Sequence, residues 1–250
     1  LAAAKLHIPV AHVEAGLRSF NRKMPEEINR VLTDHISKIL FVPTLTAEKN
    51  LQNEGMADDK IKLVGDVMYD ASIQFGQIAE DKSNILEHLK LEPKEFILAT
   101  VHRQENTDDK ERLKNIINAL ADAPKPVILP LHPRTKKKLS EHDIIINGQI
   151  NPIEPVGYLD MIMLEKYAYQ IATDSGGMQK EAFFYGVPCI TLREETEWDE
   201  TVDLGWNYIV GAEYSSISNA FIQFHCPKTK RDSVYGEGNS SALIIESLLS

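Results

Sequence analysis

The residue types that could do chemistry fall where apolar runs end. In "HVEAGLRSFNRKMPEEINR" (12–30), Glu14 sits at the close of such a run and Glu26 just inside a helix start at Pro25, among Arg18, Arg22, Lys23 and Arg30. Two carboxylates so placed suit general acid/base work on a weakly acidic proton. A plainer account makes this a charged loop: Pro25 takes the first helical position, Glu26 and Glu27 answer the positive helix end, and Glu26 pairs with Arg30. That account covers Glu26 and Glu27, which is the more structural of the two, but not Glu14 at the mouth of a strand. Further on, "YQIATDSGGMQKEAFFYGVPCI" (169–190) reads as a strand ending in Asp174, a Ser-Gly-Gly turn and a helix closing at Gly186. Ser175, Gly176 and Gly177 at a helix N-terminus let backbone N–H groups approach a phosphate, with the helix dipole reinforcing them. Ser175 as an ordinary cap on a glycine turn is the alternative. Glu181, one turn on, suits two vicinal hydroxyls such as those of a ribose, or is a solvated helix acid. A second strand end, "ATVHRQEN" (99–106), delivers His102 and Arg103; histidine can donate near neutral pH and arginine can clamp a diphosphate. A third, "LPLHPRT" (129–135), delivers His132 and Arg134.

The elements that must position these groups alternate in type. Apolar, β-branched runs predict strands over 8–13, 38–42, 61–65, 96–101, 126–131, 169–173, 187–192 and 207–211. Between them, helical spacing predicts helices over 25–37, 46–54, 72–90, 108–122, 158–167, 177–185 and 214–225, with a last one over 240–249. In the first of these, Ile28, Val31, Leu32 and Ile36 share one face. Near-continuous apolar strands alternating with helices indicate parallel sheets covered on both sides, whose ligands bind beyond the carboxyl ends of the strands. "GQIAEDKSN", inside 72–90, is polar enough for a domain boundary, with three strands before it and a complete α/β unit after it.

Several functions are disfavoured by bulk properties. The 250 residues carry a formal charge of −10, which argues against nucleic acid or an anionic membrane as partner. The run "RTKKK" (134–138) reads as a solvated helix face. Cys189 and Cys226, the two cysteines, give neither a disulfide framework nor metal-ligand spacing, and Cys189 within "VPCITL" reads as a core thiol. His12-x-Glu14 alone is weak evidence for a metal. No apolar stretch approaches the ~18 residues of a membrane span, and no dinucleotide fingerprint, Walker A loop or nucleophile elbow is present. The start "LAAAKLHIPV" has no initiator Met and opens as if inside a helix, so the chain is expected to be a piece of a longer protein.

Together "HVEAGLRS", "PEEINR", "DH" (34–35), His102-Arg103-x-Glu105 and "DSGGMQKEA" resemble the non-hydrolysing UDP-N-acetylglucosamine 2-epimerases, in that family's order and over essentially the whole chain. The resemblance implies an α/β fold of two Rossmann-like domains in a glycosyltransferase-B-like arrangement, with the UDP-sugar between them and the first domain incomplete here. The expected domains are 1–66 plus 238–250, and a UDP-binding domain over 67–237. It implies an isomerase that eliminates UDP across C1–C2 and adds it back on the other face, with no redox cofactor and no metal. By motif, Glu14 and Glu26 would be the acid/base carboxylates and His102 the histidine near the diphosphate. Ser175, Gly176 and Gly177 would cradle phosphate, Glu181 would hold ribose, Arg103 would touch phosphate or sugar, and Tyr158 would lie near uracil. A cytoplasmic homodimer is implied as well. Two departures stand out. The family's glycine-rich N-terminal strand–loop and an aspartate upstream of Glu14 have no counterpart, so these 250 residues alone are not expected to turn over. In "LREETEWDETVDLGWN" (192–207), Trp198 stands where many members have a basic residue. With the short 14–26 loop, this resembles the branch acting on modified UDP-sugars such as 2,3-diacetamido uronic acids. A glycosyltransferase of the same fold, a hydrolysing epimerase and a non-catalytic sugar-nucleotide sensor remain alternatives.

Overall fold

The computed structural model describes residues 1–22, 24–227 and 233–249. They fall into two compact units, Leu1–Ile73 with Asp232–Ser250, and Gln74–Arg231. The first holds α1 (Ala2–Lys5), β1 (Ala11–Val13), α2 (Pro25–Ile36), β2 (Ile39–Val42), α3 (Leu45–Asn53), β3 (Ile61–Leu63) and the start of α4 (Val67–Lys82). Its strands form a parallel sheet in the order β1-β2-β3. On one face of it Leu40 and Val42 meet Ala47 and Leu51 of α3. On the other, Phe41 meets Val64 and Ile244 of a terminal helix over Ser240–Leu249. That helix is tied in by Asp70, whose carboxylate accepts from Ser240 N at 3.0 Å and Ser241 N at 2.7 Å, supplying the acceptor that a helix N-terminus lacks. The chain reaches it through Gly65 and Gly236: a side chain on Gly65 would stand 2.8 Å from the Tyr235 carbonyl.

The second unit runs α5 (Ile85–Leu89), β4 (Ile97–Thr100), α6 (Gln104–Thr107), α7 (Lys110–Ala121), β5 (Val127–Pro130), α8 (Pro133–Glu141), β6 (Ile150–Ile153), α9 (Tyr158–Tyr167), β7 (Gln170–Thr173), α10 (Gly176–Tyr185), β8 (Cys189–Thr191), α11 (Asp199–Asp203), β9 (Asn207–Ile209) and α12 (Tyr214–Gln223). The terminal helix of the first unit is then α13. The six strands are all parallel, in the order β6-β5-β4-β7-β8-β9. Every residue of β4, β5 and β7 is buried, because Ile97 and Ala99 pack against α7 and α12 while Leu98 faces α9 and α10. Cys189 belongs to the second of these cores, and burial pushes its thiol up to about 12.

Three expectations need correcting. β6 went unpredicted because Pro152 and Asn151 interrupt its apolar run; proline is admissible there since β6 lies at the sheet edge, with both residues exposed. The single helix expected over 72–90 is two, α4 and α5, broken where the Ser83 hydroxyl donates to Asp160 at 2.5 Å. Most consequential, the apolar face of α2 is not its buried face. Ile28 and Leu32 are 47% and 45% exposed, whereas Glu27 and Asp34 are buried.

Candidate active site

β4 and β7 lie side by side, yet the chain leaves β4 toward β5 and β6 and leaves β7 toward β8 and β9. Such a divergence opens a crevice at the carboxyl ends of the two strands. His102 and Arg103 follow β4; Asp174, Ser175, Gly176 and Gly177 follow β7. Asp174 binds the two loops together. Fully buried, it accepts from His102 N at 3.1 Å, Arg103 N at 3.0 Å and Asn106 Nδ2 at 3.1 Å, and lies 3.4 Å from His102 Nδ1. The Thr100 and Thr173 hydroxyls join the strands beneath it at 2.7 Å. Sequence reasoning took Asp174 only as the end of a strand. Its one available signal was a charged residue directly after the strand over Gln170–Thr173.

Ser175 caps α10, its hydroxyl accepting from Met178 N at 3.4 Å. Capping and anion binding are compatible, because one side-chain cap leaves other first-turn amides of a helix without an intrahelical partner. Gly176 is closely flanked: a Cβ there would sit 3.4 Å from Trp198 Nε1, 3.8 Å from Glu197 Oε2 and 3.9 Å from Arg103 Nη2. Arg103 therefore comes to the Ser-Gly-Gly turn, and so does Trp198. Beneath the indole, Lys180 Nζ lies 4.2 Å from the ring centroid, a buried cation–π contact, and Arg193 pairs with Glu197 at 3.0 Å. A cavity of about 200 Å³ opens beside the turn, lined by His102, His132, Pro155, Val156, Met161 and Ser175. The two imidazoles lie 5.9 Å apart. Of the third strand end only His132 is delivered; Arg134 is held by Asp108 at 2.7 Å and by Thr107 at 3.0 Å. Lys136 and Lys137 after it, on α8, face solvent, while Lys138 is half-buried and pairs with Asp108 at 3.4 Å and Glu141 at 2.9 Å.

Tyr158 opens α9 and donates its hydroxyl to Glu181 Oε1 at 3.3 Å, so these two expected ligand groups are in contact. Burial, then the charges of Glu181 and Glu165, push the phenol up to about 12. Glu165 is a further group that sequence reasoning passed over, since a mid-helix glutamate looks like a surface acid. It is 1% exposed and its Oε2 has no hydrogen-bond partner. Burial first, and the Glu181 charge second, raise it well above the usual carboxylate range. Glu181 is also raised by burial, against the Tyr158 hydrogen bond and the Lys180 charge. Burial thus disfavours the charged form at both carboxyls, and most strongly at Glu165, whose only other influence is the Glu181 charge. An unfolded glutamate ionises above about pH 4.3, so stability falls as pH rises from there toward the raised folded value and is level above it. Glu165→Gln cannot ionise and removes that slope. Thermal unfolding should show the variant level with the parent near pH 4 and higher by roughly 2–4 °C per kcal/mol recovered at pH 7. Equal melting temperatures across the range would refute a raised Glu165.

In the first unit Glu14 follows β1 with φ +64°, a left-handed conformation unusual for a residue with a Cβ. Glu26 is exposed in the first turn of α2. Glu27 faces inward and accepts from Ser19 N at 3.0 Å, Phe20 N at 3.1 Å and Arg30 Nη1 at 3.4 Å. Asp34, with no exposed surface, accepts from His12 Nδ1 at 2.6 Å, Gly16 N at 3.1 Å and Arg18 Nη1 at 2.7 Å, and Arg18 continues to Glu54 at 2.7 Å. Burial alone would raise Asp34, but hydrogen bonds from His12 and Arg18 and their charges outweigh it and hold the carboxyl below its usual range. His12 is thereby committed to Asp34. Among the described residues no group of three His, Cys, Asp or Glu side chains is placed to hold a metal ion, and no helix is long and apolar enough to cross a membrane.

Residues 1–249 match the sequence model of a family described as UDP-N-acetylglucosamine 2-epimerase. A Methanococcus maripaludis protein described as a UDP-N-acetylglucosamine 2-epimerase homolog is 53% identical over 99% of this chain and 71% of its own length. A Pseudomonas aeruginosa UDP-2,3-diacetamido-2,3-dideoxy-D-glucuronate 2-epimerase is 48% identical over 99% of this chain and 70% of its own. Among solved structures, the Methanocaldococcus jannaschii UDP-GlcNAc 2-epimerase in complex with UDP-GlcNAc and UDP superposes with a TM-score of 0.92 at 47% identity, over 99% of this chain and 70% of that one.

Proposed function

The chain belongs to the UDP-N-acetylglucosamine 2-epimerase family, and from that premise we propose how its residues divide the work. The activity is that of a non-hydrolysing UDP-sugar 2-epimerase, an isomerase interconverting UDP-N-acetylglucosamine and UDP-N-acetylmannosamine or a closely related UDP-2-acetamido pair. A base takes the C2 proton, the C–H electrons form a C1=C2 bond, and UDP leaves with the C1–O pair. The resulting 2-acetamidoglucal then takes a proton on its opposite face as UDP re-adds. Glu14 and Glu26 handle the proton. Stabilising the departing diphosphate falls to the first-turn amides at Ser175, Gly176 and Gly177, with Arg103 and His102 beside them. Glu181, aligned by Tyr158, accepts the ribose hydroxyls, and the 200 Å³ cavity between His102, His132 and Val156 takes the flat base.

One observation carries this division: Asp174 fastens the His102–Arg103 loop to the Ser-Gly-Gly turn, so that both bear on one anion. The test is incubation of the full-length protein with UDP-N-acetylglucosamine in deuterated water. Deuterium at C2 of recovered UDP-sugar is the expected result. A transferred sugar without exchange would identify a glycosyltransferase, free sugar plus UDP a hydrolysing enzyme, and binding alone a sensor.

Trp198 beside Gly176, with the short 14–26 loop, resembles the branch acting on modified UDP-sugars and supports a substrate related to that of the Pseudomonas relative. Comparing kcat/KM for UDP-N-acetylglucosamine and its 2,3-diacetamido uronate analogue decides this. A homodimer is part of the same proposal. Its support is the outward apolar face of α2, where Phe20, Ile28 and Leu32 line a depression of about 670 Å³; an apolar patch of this kind suits a subunit interface. Leu32→Glu should shift the sedimenting species from dimer to monomer, and a variant that remains dimeric would place the interface elsewhere. Cytoplasmic action completes the proposal, and enzyme found outside the cytosolic fraction of lysed cells would contradict it.

A further inference from the structure

We propose that Asp34 is the positioning residue for Glu14: its two carboxylate oxygens grip the chain on both sides of that residue and set the direction of its side chain. Oδ1 holds the His12 ring at 2.6 Å, two residues before Glu14, and Oδ2 holds Gly16 N at 3.1 Å, two residues after it. Arg18 closes the same carboxylate at 2.7 Å, four residues after. Between these points Ala15 N donates to the Phe41 carbonyl at 3.0 Å. Gly16 has φ +81° and no room for a Cβ, which would fall 2.3 Å from the Ala47 carbonyl. Every neighbour of Glu14 is therefore fixed, and Glu14 itself takes φ +64°. A non-glycine residue in that region is strained and persists where its surroundings over-determine it.

The same carboxylate explains why α2 turns its acidic side inward. Asp34 and Glu27 stitch the 12–20 loop to α2 at two places, and α2 carries Glu26 at its first turn. Asp34 touches no reacting atom; it acts by holding the backbone that presents one proton-handling group to the helix that presents the other. A displacement of about 1 Å at a reacting group can cost roughly 10²-fold in rate.

This inference rests on the reading of Glu14 as a proton-handling residue, and the experiment separates the two. In the full-length enzyme, Asp34→Asn should lower kcat and C2 deuterium exchange by about 10²-fold, with KM and the calorimetric Kd for UDP within about twofold of the parent. His12→Ala removes one grip and should lower kcat about tenfold, an effect of ~1.4 kcal/mol, and His12→Asn, whose amide reaches as far as Nδ1, should recover most of that loss. Glu54→Gln weakens the outer end of the network at Arg18 and leaves the bonds of Asp34 to His12 and Gly16 in place, so it reports simple destabilisation. It should lower the melting temperature and leave kcat near the parent's. If Asp34→Asn does not fold, the His12 pair decides. Glu14→Gln that still exchanges would overturn the reading of Glu14. Loss of exchange in Glu14→Gln, with parental kcat in Asp34→Asn or equal kcat in the two His12 variants, would overturn the positioning role alone. A Glu54→Gln variant as slow as Asp34→Asn would do the same.

Discussion

Glu14→Gln is expected to lower the rate of C2 deuterium incorporation by about 10²–10⁴-fold, the range for loss of a general acid/base, while the Kd for UDP changes by less than about twofold. Glutamine keeps the length and shape of the side chain and can occupy the same left-handed backbone turn at φ +64°. It cannot take a proton at neutral pH. The reaction itself gives the experiment a second axis. Elimination removes the C2 proton from one face in one epimer and from the other face in its partner, so two carboxylates serve the two directions unequally. With Glu14 replaced, one epimer should lose elimination more severely than the other, and Glu26→Gln should reverse the preference. Mixing each variant with either UDP-sugar in deuterated water and following solvent exchange at C2 reads this directly. Equal and full exchange by Glu14→Gln from both epimers would remove it from the chemistry. Since Glu26 is exposed in the first turn of α2 while Glu14 is held by a packed loop, Glu14→Gln should be the more damaging of the two.

How much of this was legible from sequence depended on how local the determining contacts are. α9 and α13 were predicted over the ranges they occupy, and every strand but β6 to within two or three residues, because apolar periodicity is written in consecutive residues. The Ser-Gly-Gly turn that opens α10 was legible for the same reason: Ser175, Gly176 and Gly177 are adjacent, and Glu181 is one turn away. Asp174, Asp34 and Glu165 were not. Asp174 meets His102 and Arg103 across about seventy residues of chain, and Asp34 meets His12 across 22. No window of the sequence holds both partners. The helix α2 shows the cost: its apolar stripe is real, but the buried bonds of Glu27 and Asp34 decide which side faces in. Periodicity reports that a helix has two faces; distant polar partners decided which one was covered.

Asp174→Ala should have the opposite signature to Glu14→Gln, losing binding and stability together. The buried carboxylate satisfies two backbone amides and the Asn106 amide at 3.0–3.1 Å, and Asp174 itself has no exposed surface. Each buried donor left without an acceptor costs about 1–3 kcal/mol. Removing one partner from a buried charged cluster typically costs about 3–5 kcal/mol in total, since the terms are not additive. For a chain of this size that is a fall in melting temperature of roughly 2–4 °C per kcal/mol. The functional effect follows from the same bonds. The backbone amides of His102 and Arg103 both donate to Asp174, so the anion site proposed for these residues should loosen when that acceptor is lost. The Kd for UDP should rise by about 10–10²-fold, that is ~1.4–2.8 kcal/mol. Asp174→Asn sharpens the test. Its carbonyl oxygen can keep one of the amides, but its NH2 group points a donor at the others. It should therefore fold better than the alanine variant and still bind UDP weakly. Titration calorimetry with UDP, run beside thermal unfolding, distinguishes the two contributions. An asparagine variant with parental affinity would show that the strand-end loops keep their geometry without the carboxylate, and the anion site would then have to be ordered by α10 and its Ser175 cap alone.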